Sequence, residues 1–173
     1  MARVAFLMDN MFEDSEFEIP AERVREAGHE PVVVGLEAGK ELKGLKGKTV
    51  QTDRSVEEVV PDEFDALVIP GGYSPDKIRT SPEVIDLIRA VYQEGKPVAA
   101  VCHAPWVLAE AGLAKRSTLT SWPSIRTDLV NAGADWVDQE VVEHGNLITS
   151  RKPDDLEAFS KAVLAQIEQQ SNN

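Results

Sequence analysis

Four short apolar runs that do not alternate with polar residues constrain the fold of this chain more than any other feature. They are Arg3 to Met8, Pro31 to Leu36, Ala66 to Ile69 and Pro97 to Val101. A strand with one face in water alternates apolar and polar side chains. A continuous run marks a strand covered on both faces, as in a parallel sheet between helical layers. Helical patterns between the runs supply those covers. Ile19 to Ala27 places Ile19, Val24 and Ala27 on one side and stops at Gly28. Pro82 to Tyr92 carries Val84, Ile85, Leu87, Ile88 and Val91, with Ser81 as N-cap, Pro82 at the first position and Gly95 as the stop. A last helix is expected from Pro153 and Asp154 through Leu156, Phe159, Val163, Leu164 and Ile167, with Gln169 to Asn173 fraying. Alternation of strand and helix predicts a doubly wound α/β fold with a central, mostly parallel sheet.

Two segments break the alternation. Leu42 to Asp53 combines glycine-lysine features with a short β-like stretch and reads as a β-hairpin-like excursion. Gln139 to Val142 and Leu147 to Ser150 flank His144-Gly145-Asn146 and read as an antiparallel hairpin. There is no internal repeat, linker or low-complexity stretch, and 173 residues suit one domain spanning residues 1–173. The formal net charge of −12 argues against a nucleic-acid partner, because phosphate-backbone binders gather Lys and Arg on one face. Pro97 to Ala109 is uncharged apart from its histidine, but is too short to span a bilayer, so no membrane partner is expected. A single cysteine leaves no internal disulfide, and the N-terminal apolar run is too short for a secretory signal. Both point to a cytoplasmic protein.

In an open parallel sheet, ligands bind beyond the carboxyl ends of the strands. Three loops meet that description: Asp9 to Glu16, Pro70-Gly71-Gly72-Tyr73, and Cys102-His103-Ala104-Pro105. Cys102 has Ala100 and Ala104 two residues away on either side, the small neighbours a tight strand-to-helix turn needs. A free cysteine is often an inert core residue. Placement between a strand end and a helix, with histidine next, favours a reactive thiol whose pKa the helix N-terminus lowers. His103 is a general base or imidazolium partner if the turn is sharp, and otherwise a packing residue. Gly71 and Gly72 offer backbone N–H groups without a Cβ in the way, suited to an oxyanion or to an ordinary turn. Glu13, Asp14, Glu16 and Glu18 are favourable at a helix start. One of them turned inward beside the thiol would be protonated through burial. His29 reads as a surface residue and His144 as a turn residue, and no histidine pair has ligand spacing. Neither a metal nor a cofactor is expected.

Taken together, these loops resemble the ThiJ/PfpI family of PfpI-type intracellular peptidases, general stress proteins and proposed protein deglycases. The resemblance rests on Phe12-Glu13-Asp14 with Glu16, on Phe64 through Gly72, on Gly95 through Ala99, on Ala100-Val101-Cys102-His103 and on Asn131 through Asp138. It implies a flavodoxin-like three-layer sandwich of the class I glutamine amidotransferase type. It also implies Cys102 as nucleophile, His103 beside it, Glu16 against the sulfur, and backbone N–H groups of Gly72 and His103 toward the oxyanion. In PfpI-type assemblies an acidic residue a few positions after the Pro-Gly-Gly segment reaches the histidine of a neighbouring subunit. Asp76 matches it here, with a shorter side chain than the usual Glu. Ala104 stands where Gly is usual, and Trp122 where some branches carry a histidine.

Three functions follow from the resemblance. The first is a stress-protective, cysteine-dependent enzyme acting on reactive carbonyls such as methylglyoxal and glyoxal, or on their protein and peptide adducts. The second is an intracellular cysteine peptidase. The third is a thiol redox sensor without turnover. A homo-oligomer, dimer or hexamer, is implied in each case.

Overall fold

The computed structural model describes residues 1–172. In chain order the elements are β1 (Arg3–Leu7), α1 (Asp14–Glu26), β2 (Glu30–Gly35), β3 (Glu41–Lys43), β4 (Thr49–Gln51), β5 (Arg54–Ser55) and β6 (Ala66–Ile69). There follow α2 (Ser74–Ile78), α3 (Pro82–Gln93), β7 (Val98–Val101), α4 (Pro105–Glu110), β8 (Thr118–Leu119) and α5 (Arg126–Asn131). The chain ends with β9 (Asp135–Trp136), β10 (Val142–His144), β11 (Leu147–Ser150) and α6 (Leu156–Ser171). The main sheet runs β10-β11-β7-β6-β1-β2-β5. Every pairing in it is parallel except β10 with β11.

The apolar runs form strands because both their faces are covered. Along β1, Val4 and Phe6 point into a core shared with Phe17, Ala21 and Val24 of α1 and Phe159 and Val163 of α6. Ala5 and Leu7 point into the opposite core, with Val84, Ile88 and Val91 of α3 and Val107 and Leu108 of α4. One strand feeding two cores with alternate residues makes the three-layer sandwich. The chain steps from β1 to β2 on one side and then to β6 on the other, so the direction of winding reverses between β1 and β6. Loops diverge there, and a crevice opens at the strand ends.

The Leu42-to-Asp53 excursion is a hairpin of β3 and β4, as its composition suggests. Several boundaries differ from the sequence reading. The first helix begins at Asp14, not Ile19, and continues through Pro20. Its buried face is Glu16, Phe17, Pro20, Ala21 and Val24, while Ala27 is exposed. The strand placed at Gln139 to Val142 is Val142–His144. Gly145, with φ 59, and Asn146 make a two-residue turn, which puts His144 opposite Leu147 and fixes the register. The tail expected to fray from Gln169 is helical to Ser171, and Asn173 lies outside the described residues. No helix among the described residues is long and apolar enough to cross a membrane.

Candidate active site

Cys102 follows the last residue of β7 and has φ 64, a conformation that a non-glycine residue adopts at a cost of about 1–2 kcal/mol. The neighbouring chain holds it there. The Cys102 N–H donates to Ser150 O at 3.0 Å, and the Trp122 N–H donates to Cys102 O at 2.8 Å. Ala100 and Ala104 are fully buried on either side, which is why small residues belong at those positions. The turn is therefore the sharp elbow that an adjacent Cys–His pair requires. Cys102 Sγ and His103 Nδ1 are 3.3 Å apart.

Gly71 brings the second loop against this elbow. A Cβ on it would stand 2.5 Å from Glu16 Oε1 and 2.8 Å from Cys102 Cβ, so only glycine fits between the two side chains. Gly72, with φ 76, crosses the first loop in a single β-bridge to Phe12. Glu16 is completely buried in the first full turn of α1. Its Oε1 accepts from the Gly71 N–H at 2.8 Å. Its Oε2 has no hydrogen-bonding partner of good geometry, and the side chain beside it is Cys102.

The charges of this pair follow from burial. Burial pushes the Glu16 carboxyl up to about 8, against the Gly71 N–H that favours the carboxylate. Burial first, and an ionised Glu16 second, push the Cys102 thiol up to about 12. The N–H groups of Gly72 and His103 pull the other way. The expectation of a depressed thiol pKa is thus corrected. The helix behind Cys102 has only six residues and opens with a proline that has no N–H, too little to offset burial beside a carboxyl. The pocket accepts one negative charge near pH 8 and resists a second. At neutral pH Glu16 keeps its proton. A thiolate formed then has no ionised Glu16 beside it; the Gly72 and His103 N–H groups favour it, and the charge of Glu13 across the cavity opposes it.

Burial lowers the pKa of His103, so its imidazole is neutral at physiological pH. The ring lies between Trp106, with ring centres 5.2 Å apart, and Trp122, stacked at 6.4 Å. Its Nε2 is 3.3 Å from Ser124 Oγ. The thiol opens into a cavity of about 320 Å³ whose walls include Glu13, Glu16, Gly72, His103 and Trp122. Leu45, Tyr73 and Pro153 complete it; Leu45 and Pro153 were not anticipated, and Tyr73 only as the last residue of a candidate loop. Leu45 was signalled only as an apolar residue inside a glycine-lysine stretch, and Pro153 by nothing local.

Residues 2–166 match the model of the DJ-1/PfpI family. The chain belongs to the DJ-1/PfpI family. Among its relatives, protein/nucleic acid deglycase 2 of Escherichia coli is 46% identical over 164 residues, 94% of this chain and 95% of that protein. YraA of Bacillus subtilis, named as a candidate cysteine protease, is 44% identical over 162 residues, 94% of this chain and 96% of that protein. The crystal structure of Drosophila melanogaster DJ-1beta superposes with a TM-score of 0.89 at 36% identity, covering 96% of this chain and 90% of that one. The flavodoxin-like sandwich implied by the three loops is therefore the fold of this DJ-1/PfpI protein.

Within this DJ-1/PfpI site, Cys102, His103, Glu16, Gly71 and Gly72 come together, and Asp76 does not join them. Asp76 lies exposed on α2, outside the cavity wall. Asp14, one of the acids expected at a helix start, is buried at the first position of α1. It accepts from the N–H groups of Lys46 at 3.1 Å and Lys48 at 2.9 Å, pinning the loop that carries Leu45. Glu13 does face the cavity, where its Oε1 pairs with Lys46 Nζ at 2.7 Å. His29 is half-buried, and its Nδ1 accepts from the Ala2 N–H. His144 closes β10, and its Nδ1 accepts from the Thr118 N–H. No cluster of side chains able to hold a metal ion occurs among the described residues.

Proposed function

We propose that this protein is a cytoplasmic, stress-protective enzyme that uses Cys102 to act on reactive α-oxoaldehydes such as methylglyoxal and glyoxal, or on their early adducts with proteins. One observation carries the reading. The thiol sits on a strained elbow at the floor of a cavity of about 320 Å³, with two N–H groups directed at it and a protonated carboxyl beside it. That volume suits a molecule of a few heavy atoms or the tip of a modified side chain. The deglycase name of the Escherichia coli relative supports the same chemistry. That name extends to nucleic acid, but the charge of −12 favours small molecules and proteins as partners.

The reaction with methylglyoxal runs as follows. Sγ bonds to the aldehyde carbon while the thiol proton passes to His103 Nδ1 and on to the former carbonyl oxygen, leaving a hemithioacetal. Negative charge building on that oxygen lies beside the Gly72 and His103 N–H groups. His103 then takes the hydrogen from the same carbon as a proton and returns it to the neighbouring carbon, while the hydroxyl proton on the first carbon passes to the neighbouring carbonyl oxygen, giving the thioester of lactate. Water cleaves the C–S bond, which releases lactate and restores the thiol. The net change is methylglyoxal plus water to lactate, with no outside oxidant.

A homo-oligomer, dimer or hexamer, is part of this reading. In it the exposed carboxyl of Asp76 is available to a neighbouring copy. Methylglyoxal loss and lactate formation, followed together with fluorogenic-peptide cleavage, test the proposal. Cys102→Ser should lower methylglyoxal turnover by about 10²-fold or more. Turnover retained in Cys102→Ser removes the nucleophile, and peptide cleavage without methylglyoxal loss replaces the proposal with a peptidase.

A further inference from the structure

The imidazole of His103 has one hydrogen to place, and its two nitrogens face different groups. Nδ1 is 3.3 Å from Cys102 Sγ and Nε2 is 3.3 Å from Ser124 Oγ. A thiol gives its proton only to a bare nitrogen, so a useful resting ring is bare at Nδ1 and carries its hydrogen on Nε2. The acceptor waiting at Nε2 is the Ser124 hydroxyl. It stands on the single 3₁₀ turn Pro123–Ile125, directly after Trp122. Trp122 is tied to the elbow by its N–H to Cys102 O and stacks on the imidazole. One short segment thus holds the backbone of the nucleophile, one face of the ring and the far nitrogen.

We propose that Ser124 is a positioning residue that accepts the Nε2 hydrogen of His103 and so keeps Nδ1 bare toward Cys102. The proposal rests on the reading of Cys102 as nucleophile. It adds that one chain by itself already offers an acceptor to the far nitrogen of the ring. Chemistry separates a hydroxyl here from a carboxylate. A carboxylate only accepts and favours the imidazolium. The thiol can donate to a bare Nδ1 but its sulfur is a poor acceptor, so the ring is best satisfied with its hydrogen on Nε2, and a hydroxyl accepts that hydrogen there while leaving the ring uncharged. That suits a site in which burial already keeps His103 neutral. The base in this protein is therefore a neutral proton relay, not one half of a standing thiolate–imidazolium pair.

The test uses two readouts that do not depend on the substrate. Nitrogen NMR of the imidazole reports which nitrogen carries the hydrogen, and the rate of Cys102 alkylation by iodoacetamide is followed from pH 6 to pH 10. In the unmodified protein Nε2 should be the protonated nitrogen. Ser124→Ala should mix the two tautomers and slow alkylation at neutral pH by about threefold to tenfold, the value of one lost hydrogen bond. Ser124→Thr, which keeps the hydroxyl, should restore both. Ser124→Asp should move the imidazole titration to higher pH. An unchanged tautomer and alkylation profile in Ser124→Ala overturns the proposal, as does finding that Asp76→Asn, and not Ser124→Ala, shifts them. Because neither readout involves a carbonyl, an inactive enzyme with the expected NMR pattern would sink the carbonyl function and leave the role of Ser124 standing.

Discussion

Gly71→Ala places a methyl group where three atoms already crowd. The new Cβ would lie 2.5 Å from Glu16 Oε1, 2.8 Å from Cys102 Cβ and 2.9 Å from Val101 O. None of these can step aside freely. Val101 O belongs to β7 inside the main sheet, Cys102 Cβ is fixed by the elbow, and Glu16 is fully buried. Overpacking of this kind costs about 1–3 kcal/mol. Moving Glu16 also stretches the 2.8 Å bond from the Gly71 N–H, and a buried acceptor left unpaired costs about 1–3 kcal/mol more. A loss of about 3 kcal/mol lowers the melting temperature of a chain this long by about 6–12 °C. Gly28→Ala is the comparison, because a Cβ there meets nothing within 4 Å and only its φ of 85 opposes the change, at about 1 kcal/mol. Differential scanning calorimetry gives the stability, and iodoacetamide alkylation gives the state of the thiol. Gly71→Ala should be the less stable of the two and the only one with an altered alkylation rate. A Gly71→Ala protein that melts within about 1 °C of the unmodified protein and alkylates at the same rate would refute the reasoning.

Two further outcomes follow from buried acids. Between the ordinary carboxyl value of 4.5 and about 8, folded Glu16 holds a proton that the unfolded chain has lost, so stability falls as pH rises through that window. Glu16→Gln should remove a slope worth at most about 4–5 kcal/mol over it, and denaturant midpoints taken from pH 5 to pH 8 that fall as steeply as before would contradict this. Asp14→Ala frees the N–H groups of Lys46 and Lys48 at about 1–3 kcal/mol locally. Tryptic cleavage after these lysines should then accelerate well before global unfolding, and an unchanged cleavage rate would show that the loop is held by something else.

How much was legible in the sequence depended on whether the signal was local. The strands were readable because a run such as Ala66 to Ile69 has to be buried on both faces, and the cysteine elbow because Ala100 and Ala104 flank it. The start of α1 was half legible: the acids from Glu13 on signal a helix start, whereas the apolar pattern begins only at Ile19, and the first turn lies at Asp14. Asp14 itself could not be read, since its partners lie 32 and 34 residues away. The two-residue strands β8 and β9 exist only by pairing with each other, and neither has an intrinsic pattern. The thiol titration was misjudged for a related reason. The sequence displays a helix start beside Cys102 but not the depth of burial that outweighs it.

The φ of 64 at Cys102 separates what this fold prefers from what its site needs. Glycine would hold that angle with no steric penalty, whereas cysteine is held there by its neighbours. A search for heat resistance alone would therefore tend to replace Cys102, and would register as an improvement the removal of the thiol on which the proposed reaction depends.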